Sequence, residues 1–235
     1  MATLSVGFRE TVSRPAEARG RYIVNTAGKA KYADVLLTVE PLGRGSGFEC
    51  VNQLEPGRIP AQFIPDIIQG VVETAEEGVL AGFPLVDLRV VLRDGSFHHL
   101  HSTPLSFRIA GSIALHDAAL AAQPAILAPV YRIGFVATKA ALPSLLRTIS
   151  RARGIVLVND PVDSMRQRVE AAVSLHSLLA AQSLPGGNGP VLEGGAFFDW
   201  SGGFTIRFSH FEEVDTTTRE KLLDEAKRAC RQSAG

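Results

Sequence analysis

Two short stretches of this 235-residue chain carry the side chains best suited to chemistry. One reads His98-His99-Leu100-His101, three imidazoles within four positions. Close histidines are candidate zinc ligands, because a neutral imidazole nitrogen binds that metal. His99 and His101 stand two apart, so in an extended segment their side chains would share one side. A fourth ligand is not evident, since Asp94 is the one carboxylate nearby and no cysteine is close. Exposed histidines also stack on bases and donate hydrogen bonds, or are simply solvated. The other stretch is Thr26-Ala27-Gly28-Lys29-Ala30-Lys31, a hairpin tip with Lys29 and Lys31 on it and Arg19 and Arg21 on its approach. No acid lies between Ala18 and Ala33. Cations on a protruding hairpin suit phosphate contact; the plainer case is a solvated turn. Arg151 and Arg153 make a third basic pair, just before Gly154. Near a helix C-terminus such charges are also favoured by the macrodipole.

Catalytic patterns are missing. Glu73, Glu76 and Glu77 end a helical stretch and read as its solvated face. No Gly-x-Ser-x-Gly occurs, and neither Cys50 nor Cys230 lies near a histidine. A phosphate loop needs two glycines with four residues between them, then Lys and Ser or Thr. The one Gly-Lys pair, Gly28-Lys29, is followed by Ala30, and Ile23 stands where the earlier glycine belongs. We therefore expect no catalytic residue, no metal and no cofactor.

Lys plus Arg and Asp plus Glu are both 24, so no global basic excess drives nucleic-acid coating. Local clusters still bind phosphate, because distant charges are screened within about 10 Å. Two isolated thiols make no disulfide framework, which fits a reducing compartment. Residues 1–8 lack a signal-peptide pattern, and no apolar run is long enough to span a membrane. The expectation is a cytoplasmic protein with no membrane contact.

The elements that must position these residues follow from periodicity. Val6 to Ser13 reads as an extended segment; Arg21 to Asn25, Tyr32 to Glu40 and Phe48 to Leu54 read as strands. Ile64, Ile67, Ile68, Val71, Val72 and Ala75 share one helix face, with Pro65 in the first turn and Gly78 past the end. Leu85 to Arg93 alternates, with Val86, Leu88, Val90 and Leu92 on one face and Asp87, Arg89 and Arg93 on the other. A second helix starts at Ser102 or Thr103, carries Pro104 in its first turn and runs to about Ala122, its alanines permitting close packing. The two prolines of Gln123 to Pro129 read as a domain boundary. Beyond it come a strand (Val130 to Ala137), a helix (Ala140 to Ala152), two strands (Gly154 to Asp160, Met165 to Ser174), a short helix (Leu175 to Gln182) and a last strand (Phe204 to Phe211). This order is the ferredoxin-like β-α-β-β-α-β. Leu184 to Gly195 reads as a loop, and Thr217 to Gln232 as a charged outer helix.

Several stretches together resemble bacterial elongation factor G: residues 8–11, 27–35, 59–65, 80–87, 95–98, 102–113 and 150–154, in the family's order and roughly at its spacing. The likeness covers most of residues 6–160 and beyond that is mainly the order of elements. It implies an α+β chain holding the fourth and fifth domains of that factor, over residues 1–127 and 128–235. The fourth would be a split β-α-β domain with a left-handed crossover, an exception to the usual hand; the fifth would be ferredoxin-like. It also implies a ribosome-binding module whose tips reach the decoding region during translocation. The partners would be ribosomal RNA and transfer RNA, and GTP hydrolysis would belong to an upstream or separately encoded domain. His98 matches the family's tip histidine. Lys31 stands where the family usually has glutamine, and Lys29 where it has arginine. The RNA-contacting set expected on this basis is Arg21, Lys29, Lys31, His98, His99, Arg151 and Arg153. Two other readings stand beside it: a metal-assisted hydrolase using His98, His99 and His101, and a protein-interaction module that reuses the fold.

Overall fold

The computed structural model describes residues 7–26, 29–174, 176–177 and 204–233. These fall into two compact units: Phe8–Leu127 with the chain from Glu213 onward, and the residues from Ala128 to Glu212.

The first unit is built on a four-stranded sheet. Strands β2 (Ala16–Thr26) and β3 (Lys29–Pro41) form a long antiparallel hairpin. β5 (Leu88–Ser96) pairs antiparallel with β3, and β4 (Phe48–Asn52) pairs parallel with β5 at the edge. Helices α1 (Ile64–Glu77) and α2 (Pro104–Ala121) pack on each other, and α2 lies across β2 and β3. Alternation makes this possible: Ala33, Val35, Leu37 and Val39 of β3 and Leu88, Val90 and Leu92 of β5 point inward and are essentially inaccessible to water. They meet Phe107, Ala110, Ala114 and Leu115 of α2 and Ile67 and Val71 of α1 in one core. Small residues set the spacing. A Cβ on Gly20 would lie 2.0 Å from the carbonyl oxygen of Ala110, and one on Gly70 would lie 2.0 Å from that of Arg108. No larger residue fits at either crossing.

α2 begins as its sequence predicts. Thr103 is the N-cap, its hydroxyl accepting from the Ser106 N–H at 3.2 Å, and Pro104 fills the first turn. The expectation for Asp87 fails. It is 2% exposed with φ 60°, and β5 starts one residue later. Its carboxylate is drawn inward because Oδ1 accepts the N–H groups of Gly45 and Gly47, at 3.0 and 3.1 Å.

The proline-bearing stretch holds the division between the two units, after Leu127, and is itself strand. It opens strand β6 (Pro124–Thr138). Residues 124–127 pair with β1 (Arg9–Val12), and residues 130–138 pair with β8 (Arg166–Ser174). Pro129 falls between the two registers, where neither ladder needs its missing N–H. In the second unit α3 (Leu142–Arg151) follows β6, and the sheet order is β9 (Phe204–Glu213), β6, β8, β7 (Ile155–Pro161). Leu145 and Ile149 of α3 pack on Ile133, Phe135, Val169 and Ala171. The short helix expected at Leu175 to Gln182 and the loop at Leu184 to Gly195 lie almost wholly outside the described residues.

The last helix, α4 (Thr216–Ser233), groups with the first unit, whereas the sequence expectation had put it with the second domain. The N–H of Val214 donates to Ile126 O at 3.0 Å, Arg219 donates to Pro124 O at 3.2 Å, and Leu222 is 8% exposed. The whole is an α+β protein. None of the described helices is long and apolar enough to cross a membrane.

Candidate nucleic-acid interface

The β2–β3 register runs to the hairpin end, pairing Ile23 with Tyr32, Val24 with Lys31 and Thr26 with Lys29. Lys29 and Lys31 are therefore carried to the far end of the sheet by a fully laddered hairpin. The loop from β5 to α2, residues 97–103, returns to the same place. Tyr32 N–H donates to His101 O at 2.9 Å. Ser102 clamps the two segments: its hydroxyl donates to Tyr32 O at 2.7 Å and accepts from His98 N–H at 2.9 Å. The histidine loop is thus bonded alongside the hairpin at Tyr32, the residue after Lys31.

The histidine loop is folded, not extended. Ser102 and His101 N–H groups both donate to His98 O, at 3.0 and 3.2 Å, closing a tight turn. His98 therefore stacks on His101 with ring centroids 4.3 Å apart, while His99 turns edge-on to Phe97 at 4.8 Å. The same-side pairing expected for His99 and His101 does not form, because the turn reverses the chain between them. His98 Nδ1 accepts the Leu100 N–H at 3.2 Å. With Nδ1 an acceptor, a neutral His98 carries its proton on Nε2. Among the described residues no group of three His, Cys, Asp or Glu is placed to hold a metal.

Behind the tip lies a charged brace. Tyr32 OH meets Ser96 Oγ at 2.7 Å, and Ser96 donates to Asp34 at 3.2 Å. Arg19 bridges Asp34 at 2.7 Å and Asp94 at 3.1 Å. Arg21 approaches the other Asp34 oxygen at 3.6 Å, and Arg58 approaches Asp94 at 3.5 Å. The stretch free of acids in sequence is thus answered by acids from neighbouring strands, so Arg21 is half engaged in holding the sheet. Asp94 titrates below its ordinary value of 3.8, chiefly because the Gly95 N–H bonds to it; partial burial opposes this, and Arg19 and Arg58 add to it. Burial pushes the Arg19 value down, but its bonds to Asp34 and Asp94 outweigh that and raise it.

Arg151 and Arg153 stand elsewhere, in the second unit. Arg151 closes the last turn of α3, and Arg153 holds φ 53°. Gly154 N–H reaches Ile149 O at 2.8 Å and Arg153 N–H reaches Ser150 O at 3.0 Å, a Schellman close. Glycine usually takes the left-handed position. Here Gly154 is needed one step later, where a Cβ would lie 2.8 Å from Ile149 and 3.1 Å from Ala172 O.

Sequence reasoning missed one anchoring residue altogether. Glu10 is fully buried, and its two oxygens accept four backbone N–H groups, from Val79, Leu80, Ala81 and Phe83, at 2.6 to 3.1 Å. An acid between Phe8 and Val12, in an otherwise inward-facing strand, was the available signal.

A hairpin bearing lysines and a loop bearing imidazoles are hydrogen-bonded to each other on an α+β frame, and the sequence holds no phosphate-loop motif. Residues 5–123 match the family described as Elongation factor G, domain IV, and the chain belongs to that family. It is 32% identical over 223 residues to the elongation factor G of Aquifex pyrophilus, covering 94% of this chain and 30% of that protein. A solved crystal structure from Thermus thermophilus superposes with a TM-score of 0.76 at 30% identity, over 95% of this chain and 32% of its own. The chain thus spans about a third of the length of these two relatives. No phosphate-loop motif occurs in its sequence.

Proposed function

We propose that this chain is a ribosome-binding module that presents the fused tip, around Lys29, Lys31, His98 and His99, to RNA of the decoding region. The partners are ribosomal RNA and transfer RNA, and any coupling to GTP comes from a domain outside these residues. Arg151 and Arg153 supply a second RNA contact from the other unit. The observation that carries the reading is the Ser102 clamp: one hydroxyl ties His98 to Tyr32 and so joins two polar tips into one rigid projection. A projection held by backbone bonds loses little freedom on docking. Lys29 and Lys31 each add one point charge for phosphate.

The test is co-sedimentation with bacterial ribosomes across a salt series. The parent chain pellets, with affinity falling as salt rises. Lys29→Ala with Lys31→Ala weakens pelleting and lowers the slope of log affinity against log salt by about 1 to 2. Equal pelleting of the double variant at every salt concentration refutes the assignment of the tip.

A further inference from the structure

Of the five large apolar side chains exposed among the described residues of the first unit, three lie on the upper hairpin, the histidine loop and the helical turn after it: Ile23, Leu100 and Leu105 are 63%, 83% and 52% exposed. Ile23 is paired across the hairpin with Tyr32, and Leu105 sits in the first turn of α2, directly after the histidine loop. An isolated exposed leucine needs no explanation, but an apolar group gathered at one projecting end marks a contact surface. Leu100 is the extreme member, and it is not left on a slack loop. Its own N–H is bonded to His98 Nδ1 at 3.2 Å. The residues on both sides are fixed by the His98–His101 stack and the Phe97–His99 edge contact. Holding an apolar side chain in water on a preorganised turn does nothing for folding.

From this we infer that Leu100 is an apolar wedge that inserts against the face of an RNA base, at an unstacked step or the open end of a base stack. The inference rests on the reading of the tip as an RNA-binding surface and deepens it. Apolar wedges flanked by cations are a general means of engaging bases without reading their edges. The chemistry around Leu100 fits that role: the imidazole pair offers flat ring surface and a ring N–H, and Lys31 neutralises phosphate. The wedge contributes through buried apolar area, so its effect is independent of salt, unlike that of the lysines.

The experiment compares ribosome affinity across a salt series for the parent, Leu100→Ala, Leu100→Gln and Leu100→Phe. Thermal melts of each serve as a folding control, and they stay unchanged because the side chain is 83% exposed. Leu100→Ala and Leu100→Gln bind about tenfold more weakly at every salt concentration, with the parent's slope. Leu100→Phe binds at least as well as the parent. Equal affinity of parent and Leu100→Ala overturns the inference while leaving the tip assignment standing. A changed salt slope in Leu100→Ala also overturns it, because the residue would then act by arranging the charges. A parent chain that fails to pellet at any salt sinks the reading of the tip and this inference with it.

Discussion

Glu10 is the residue on which the first unit is most exposed to damage. Its carboxylate satisfies four N–H groups of residues 79–83, and it sits at zero exposure. Removing it leaves several buried donors without partners, each carrying a penalty of about 1–3 kcal/mol. Glu10→Ala is expected to destabilise the protein by about 3 kcal/mol or more in urea unfolding. Glu10→Gln should also destabilise it, because an amide nitrogen cannot accept the N–H groups that one carboxylate oxygen now takes. A loss under 1 kcal/mol in both would mean that the loop is held by other means. Reading along the chain, the histidines and lysines stood out because of their chemical type, and the structure brings them together. Glu10 and Asp87 did not, since an acid's value here lies in backbone donors about 40 to 70 positions away. The ion pair of Arg21 is hidden for the same reason: Asp34 faces it only once the hairpin register is known.

Elements were legible where periodicity and caps agree. The helices at Ile64–Glu77 and Pro104–Ala121 lie where their spacing, prolines and caps put them. β6 was misread at its start because proline is ordinarily a break, and nothing local tells that Pro124 and Pro129 avoid the ladder positions that need an N–H. The brace behind the tip joins three strands and is invisible to any local pattern. It makes a prediction about acid. Asp94 has a folded value below its unfolded one, so it adds stability above the ordinary value of 3.8, and that contribution is lost as pH falls through the depressed value. Urea midpoints measured from pH 7 down to about pH 2 should fall for the parent below about pH 4. For Asp94→Asn the acid limb should be shallower, with lower stability at pH 7. An identical acid limb in the variant would show that Asp94 carries none of this dependence.

At the scale of the whole molecule, the C-terminal helix belongs to the energetics of the N-terminal unit. Leu222 is 8% exposed, and Val214 and Arg219 bond to the first residues of β6. Leu222→Ala should destabilise this unit by about 2–3 kcal/mol. Amide exchange read by mass spectrometry should rise in residues 8–127 before it rises in residues 128–174. The reverse order would detach the helix from that unit. The 235 residues match relatives about three times as long, so the module is best assayed for binding, not for turnover.

The strand order β2-β3-β5-β4 has a consequence in time. β4 ends at Asn52, yet its one neighbour among the described strands, β5, begins at Leu88. At translation speeds of roughly 5–20 residues per second, several seconds separate the two on the ribosome. During that interval the β2–β3 hairpin exists with the inner edge of β3 unpaired, and β4 waits with nothing to join. The nascent chain is therefore most open to misassociation before Leu88 emerges, and β5 ends that exposure by pairing antiparallel with β3 on one side and parallel with β4 on the other.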